Sequence, residues 1–236
     1  MGEPTVVGIG IIGIGLIGAK HAAAIAESTS MELVACFHPD EEKARAFATN
    51  HGGRPYSQLD SFLGDPTVTL VDICTPSGAH LEPALASSAA GKHVVVEKPL
   101  EITTQRCDRI IAACEEAGVL CSGIFQSRFS RGAGAMKKLV DGGAFGTVVV
   151  AGASTRYFRT DEYYAASDWH GTWEVDGGGA LMNQSIHAID LLNWLIGPVT
   201  SVSAHTGTVA HPGIEVEDVA TASLQFANGA LGTIVG

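Results

Sequence analysis

Basic residues are scarce in this chain. Fourteen lysines and arginines stand against 25 acidic residues, for a net charge of −11. A surface so short of cations has little with which to neutralise phosphates, which argues against a nucleic-acid partner. Long apolar runs are lacking too. The longest have the length of a strand, far below a membrane-spanning helix, so no membrane partner is expected. The sequence does not open on a basic segment followed by an apolar one, so no signal peptide is expected and a cytoplasmic location is. Cysteine is limited to Cys36, Cys74, Cys107, Cys114 and Cys121, an odd number without C-x-x-C spacing. That fits a reducing compartment and free thiols packed as small hydrophobes, and it gives no metal motif.

What is present is a hydrophobic fraction of 46% over 236 residues, enough to bury the core of one large or two small domains. The chain opens on Val6–Ile12, an apolar run of strand length, followed by Gly13-Ile14-Gly15-Leu16-Ile17-Gly18 and a helical stretch. Strand, tight turn and helix in this order form a dinucleotide-binding pattern. Gly13 makes the turn, Gly15 lets the backbone approach a pyrophosphate, and Gly18 lets helix and strand pack closely. Leu16 and Ile17 open the helix, whose N-terminus offers N–H groups and a positive dipole end. An overlapping register, Gly8/Gly10/Gly13, leaves too little strand before it.

Further strands and helices alternate up to about residue 124: strands near 31–37, 69–74, 93–96 and 119–125, helices over 41–50, 80–90 and 103–117. Alternation of this kind predicts an α/β unit, a doubly wound parallel sheet of Rossmann type, over residues 1–124. After that the pattern changes. Helices are expected over 131–142 and 180–196 and strands over 148–158, 199–208, 216–226 and 230–235, with Asn228-Gly229 as a hairpin turn. Residues 125–236 thus read as an α+β domain with a mostly antiparallel sheet.

Several residues carry candidate chemistry. His38 ends the second strand, where an acid would hold the adenosine ribose; it could face a 2′-phosphate or be an exposed turn histidine, and Asp40 could reach the ribose instead. The Thr75-Pro76 loop with His80 follows a buried strand and sits at the ligand edge of the sheet. Lys98, in Glu97-Lys98-Pro99, stands at the carboxyl end of another strand, where it could act as an acid/base group or donor, or simply be a surface lysine. His187, on a mostly apolar helix, shares a face with Asn183 and could take an alcohol proton or be a satisfied core histidine. Aromatics make up only 6% of the chain, yet Tyr157, Tyr163, Tyr164, Trp169 and Trp173 gather in one stretch that suits sugar faces. Arg128, Arg156 and Arg159 could hold an acidic substrate.

Together, Gly13–Gly18, Thr75-Pro76 with His80, Glu97-Lys98-Pro99, Phe125-Gln126-Ser127-Arg128-Phe129 and the Gly177-Gly178-Gly179-Ala180-Leu181 helix with His187 and Asp190 resemble the Gfo/Idh/MocA oxidoreductase family. The resemblance spans nearly the whole chain. It implies hydride transfer between a nicotinamide cofactor, NAD with NADP as alternative, and a sugar, cyclitol or nucleotide-sugar hydroxyl. By it Lys98 and His187 are the catalytic pair. Glu97, Lys98 and Gln126 join the glycine turn, His38, Thr75, Pro76 and His80 on the cofactor. Lys98, Arg128, Tyr157, Trp173, Asn183 and His187 meet the substrate, no metal takes part, and the C-terminal sheet forms a homo-oligomer. Two other readings are a nicotinamide-dependent glycoside hydrolase and a non-catalytic cofactor-binding sensor. The chain departs from the family at His38, which replaces an acid, and at Asn183, which replaces an aspartate and looks like a nucleotide-sugar or uronate dehydrogenase subgroup. It also stops at Gly236, where the family continues, so an incomplete second domain is expected.

Overall fold

The computed structural model describes residues 6–166 and 169–236. The chain divides into two compact units, Met1–Ile124 and Phe125–Gly236. The first is built on six parallel strands: β1 (Val7–Ile12), β2 (Met31–Phe37), β3 (Arg54–Tyr56), β4 (Leu70–Ile73), β5 (His93–Val96) and β6 (Cys121–Gly123), in the order β3-β2-β1-β4-β5-β6. The order reverses direction between β1 and β4, and there the carboxyl ends of the strands open a crevice. β1, β4 and β5 are apolar because helices cover both faces; Ile11, Val71, Ile73 and Val96 are fully buried.

The helices are α1 (Leu16–Ala26), α2 (Glu41–His51), α3 (Leu59–Leu63), α4 (Leu81–Ala89) and α5 (Thr104–Glu116). Asp40 caps α2 by accepting from the N–H groups of Glu42 and Lys43, and Thr103 caps α5 by accepting from Arg106. Each such cap is worth about 1 kcal/mol. Two short elements, β3 and α3, lie in a stretch without clear periodicity. β3 tolerates Pro55 because it is the sheet's edge.

The second unit is a four-stranded sheet of β7 (Val150–Ser154), β8 (Val199–Gly207), β9 (Val219–Phe226) and β10 (Leu231–Val235), ordered β7-β10-β9-β8. β9 pairs antiparallel with both neighbours, whereas β10 and β7 are parallel. The strand expected over 148–158 is thus confined to 150–154: β7 pairs only with the five residues of β10, so its ladder ends there. The unit also holds α6 (Arg131–Asp141), capped by Ser130, and a one-turn α7 (Asp161–Ala165) within the expected aromatic loop. The helix expected over 180–196 begins as a π-helix, Ala180–Ser185, and continues as α8 (Ile186–Ile196). Leu192 of α8 packs with Leu224, Phe226, Ala230 and Ile234 to form this unit's core. Asn228-Gly229 turns the β9–β10 hairpin, with Gly229 at φ +87°.

Candidate active site

In the first unit the predicted cofactor residues line the carboxyl edge of the sheet. β1 ends at Ile12, so Gly13 begins the turn. Gly13 has φ +94°, and a Cβ there would lie 2.4 Å from the Cys74 carbonyl carbon. A Cβ on Gly18 would lie 2.2 Å from the Gly13 oxygen, so glycine there allows α1 to pack on the turn. Gly15 differs: nothing lies within 4 Å of where its Cβ would be, and it caps α1 without a side-chain bond. Open space before an uncapped helix N-terminus is what a pyrophosphate requires. Gly10, from the rejected register, is mid-strand and makes room for the Phe62 ring, 2.5 Å from its would-be Cβ. Leu16 and Ile17 are exposed on the first turn of α1.

His38 follows β2. Its Nδ1 accepts the Asp40 N–H at 2.9 Å, which puts the ring proton on Nε2 and makes that nitrogen a donor. The Asp40 carboxylate is engaged as the α2 cap.

The turn after β5 carries Lys98, joined to Pro99 by a cis peptide bond. It is held on several sides. Glu97 Oε2 accepts the Lys98 N–H at 2.8 Å, and Glu97 Oε1 is 3.1 Å from His21 Nε2. Pro99 and Leu100 turn their carbonyls to His80 Nδ1, at 2.9 and 3.3 Å, while His80 Nε2 faces the Thr75 carbonyl at 2.9 Å. His80 is 1% exposed and presents no ring edge to a ligand; it braces the Thr75-Pro76 loop against the Lys98 turn. Burial holds its pKa below the ordinary value, against the pull of those carbonyls. Glu101 is buried, accepts from the N–H groups of Leu81 and Ile102, and forms a two-pronged pair with Arg106 at 2.8 Å on each arm. Burial pushes the Glu101 pKa up, but Arg106 and the two amides prevail and hold it below the usual range. Sequence reasoning missed His21, whose partners lie on β4 and after β5, and Glu101, which accepts from Leu81 twenty residues away; it missed Arg106 too, although its partner Glu101 is only five residues distant.

In the second unit the helical segment from Gly179 carries Asn183, Gln184 and His187. Its start is set by Glu217, which accepts from the Gly179 N–H at 3.0 Å and the Leu181 N–H at 2.9 Å through its carboxylate, and from Ala180 at 2.8 Å through its carbonyl. Asn183 Nδ2 donates to Asp176 at 3.2 Å, Gln184 Oε1 accepts from Arg159 at 2.7 Å, and the His187 ring meets the Phe125 ring edge-on at 6.4 Å. Gln126 begins a short 3-10 turn after Phe125.

Arg128 and Arg159 separate here. Arg128 is paired in two-pronged fashion with Asp190 and lies 5.7 Å above both the Phe125 and Trp194 rings, so its charge is neutralised within the fold. Arg159 stacks 4.6 Å over the Tyr163 ring and has no carboxylate partner among the described residues. Its backbone carbonyl accepts from His211 Nε2 at 2.8 Å. Burial opposes a charge on His211, but the Arg159 carbonyl and Asp218 raise its pKa. Tyr157 and Trp173 project into solvent, 70% and 55% exposed, as stacking surfaces would.

A model of an oxidoreductase family with an NAD-binding Rossmann fold matches residues 7–125, and a Gfo/Idh/MocA C-terminal domain model matches residues 134–236. Among solved structures, the WlbA dehydrogenase of Bordetella pertussis, in complex with NADH and UDP-GlcNAcA, superposes with a TM-score of 0.91 at 38% identity, covering 98% of this chain and 70% of that one. Among curated proteins, myo-inositol 2-dehydrogenase of Thermotoga maritima is 30% identical over 96% of this chain and 67% of its own length. The 1,5-anhydro-D-fructose reductase of Ensifer adhaerens is 28% identical over 94% and 66%. The chain thus spans about two thirds of the length of these curated relatives.

Proposed function

The chain belongs to the Gfo/Idh/MocA oxidoreductase family, and from that premise we propose that it is an NAD-dependent dehydrogenase of a sugar-type hydroxyl. The observation that carries the reading is the open Gly15 before α1, with Lys98 on the same sheet edge two strands away. Gly13, Gly15 and the first turn of α1 would hold the pyrophosphate, His38 Nε2 would donate to a ribose oxygen, and Thr75, Pro76, Glu97, Lys98 and Gln126 would frame the rest of the cofactor. NAD is preferred to NADP because Asp40, Glu41 and Glu42 crowd negative charge at the start of α2, beside His38, where a 2′-phosphate would sit. When bound, the cofactor supplies the hydride acceptor. His187 takes the hydroxyl proton and Lys98 donates to the developing carbonyl oxygen. Asn183, held by Asp176, orients the substrate.

The substrate we favour is a uronic acid or its nucleotide sugar. WlbA relatives are solved with UDP-GlcNAcA. Arg159, stacked on Tyr163 and without a carboxylate partner among the described residues, would hold the acid, with Tyr157 and Trp173 on the sugar faces. Assembly through the outer face of the four-stranded sheet, where Val150, Val219 and Leu231 are exposed, and a cytoplasmic location complete the proposal. No helix among the described residues is long and apolar enough to cross a membrane. Titration with NADH and NADPH by cofactor fluorescence tests the first step. At least tenfold tighter NADH binding is expected, and binding of neither refutes the reading. UDP-GlcNAcA with NAD then tests the second, by formation of reduced nicotinamide.

A further inference from the structure

The Lys98 turn is tied through Glu97 to two charged residues, His21 and Asp72, that the proposed reaction does not otherwise use. His21 lies on α1, the helix that starts at the dinucleotide turn. Its Nδ1 is 2.7 Å from Asp72 Oδ2 on β4, and its Nε2 is 3.1 Å from Glu97 Oε1 after β5. The ring is 18% exposed, Asp72 7% and Glu97 13%. An ionised carboxylate has no proton to give, so each ring nitrogen must donate and the ring is an imidazolium. Its pKa is accordingly pushed up to about 12, above all by the bond to Asp72. Cys74 Sγ lies 3.3 Å from the same Nδ1. Burial raises the Cys74 pKa to about 11, so the thiol keeps its proton and adds no charge to the cluster.

Two buried carboxylates that flank one cation depend on it. Without the ring, Asp72 and Glu97 would stand as buried like charges, and a buried carboxylate stripped of its partner takes up a proton or turns away. Glu97 is not free to turn away at no consequence, because its other oxygen, Oε2, accepts the Lys98 N–H at 2.8 Å. The contacts therefore run without a break from α1 through His21 and Glu97 to the Lys98 backbone, with Asp72 as the second anchor.

We propose that His21 is a positioning residue: held by Asp72, it fixes the Glu97 carboxylate and through it the backbone of Lys98, locking the dinucleotide helix and the lysine turn into one piece. The proposal rests on the reading of Lys98 as the lysine of the active site, but its structural half can be tested without a substrate.

Amide hydrogen exchange of the whole chain, resolved by residue, is the test. In His21→Gln, exchange at the Lys98 amide is expected to accelerate at least tenfold. The amides of Val94 and Ile124, bonded within the sheet to Leu120 and Val96, serve as unaffected references. His21→Lys, which keeps a cation between the carboxylates, should restore Lys98 protection to within threefold. With UDP-GlcNAcA and NAD, His21→Gln should lose at least tenfold in kcat while KM and the Kd for NADH stay within threefold. Lys98 protection unchanged in folded His21→Gln overturns the proposal. If that variant does not fold, Asp72→Asn is read in its place, and unchanged Lys98 protection there overturns it equally. Loss of Lys98 protection in the wild type on treatment with EDTA would also overturn it, since the cluster would then be a metal site. Faster Lys98 exchange in His21→Gln with no turnover by the wild type leaves the positioning role standing and removes the dehydrogenase reading instead.

Discussion

Glu217→Gln is a sharp perturbation of the second unit, because one side chain there sets the start of the segment that carries Asn183 and His187. Glu217 is 9% exposed and its two carboxylate oxygens accept separately from Gly179 and Leu181. Glutamine has nearly the same shape but only one acceptor. One N–H keeps a bond, now to a neutral oxygen, and the other faces an NH2 group. Losing a charge-assisted bond costs about 1.5–3 kcal/mol, and a buried N–H left unmade costs about 1–3 kcal/mol. The two overlap, and about 3 kcal/mol is the central value. Unfolding entropy of about 2.1 cal/mol/K per residue over the unit's roughly 110 residues gives about 0.23 kcal/mol/K, so the midpoint of that unit should fall by about 13 °C. Calorimetry reads it directly, with Glu174→Gln, at an exposed position in the same region, as the control expected to stay within about 2 °C. In the proposed reading NADH is held mainly by residues of the first unit, with Gln126 added from the second, so its binding should stay within twofold below the transition. A fall of less than 3 °C, or an equal fall in the control, would refute the reasoning.

Other substitutions separate packing from ligand binding. Gly15→Ala should leave the thermal midpoint within about 1 °C, since its Cβ meets nothing, yet weaken NADH at least thirtyfold by fluorescence; unaltered affinity would remove Gly15 from the cofactor site. Gly13→Ala, at φ +94° and against the Cys74 backbone, should lose both stability and binding, by at least 2 kcal/mol on the scale of an overpacked site with a strained φ. Asp190→Asn strips the partner from Arg128, whose side chain is 36% exposed, and the screening that exposure brings limits the loss to about 2 kcal/mol in urea denaturation; no loss would mean that Arg128 is not held by Asp190. Glu101 supplies the pH test. Its folded pKa lies below the ordinary 4.5, so the unfolded state binds the proton more readily. The stability it contributes is fully present above pH 4.5 and is lost as pH falls through the depressed folded value. The difference in urea midpoint between wild type and Glu101→Gln should therefore be constant above that pH and shrink below it; a difference that grows on acidification would contradict the Arg106 pairing.

The parts of the fold that the sequence announces are those whose cause is local. Glycine spacing places the turn at Gly13, because positive φ and close approach are demanded of single residues there. Asp40 and Thr103 mark the starts of α2 and α5, since a cap acts two or three residues away. The elements of the candidate sites that escaped reading are bonds across long separations: Glu217 to Gly179, His211 to the Arg159 carbonyl, Glu101 to Leu81. No periodicity encodes such pairs. The π-turn over 180–185 escaped for a related reason: its apolar residues join those of α8 in one stripe, while the device that sets the turn is a glutamate on the approach to β9. One signal was nevertheless within reach. Asp72 interrupts Leu70-Val71-Asp72-Ile73, a strand otherwise apolar because both its faces are covered. A carboxylate in such a strand must find a cation or a set of donors, and the helices beside the sheet are where to look for it. α1 bears two basic side chains, Lys20 and His21, and of these Lys20 is exposed while His21 is partly buried. An acid that breaks an apolar parallel strand is thus a sequence-level pointer to an ion pair under a sheet edge, and in this chain the ring of that pair also meets Glu97, the residue before the lysine on which the proposed chemistry depends.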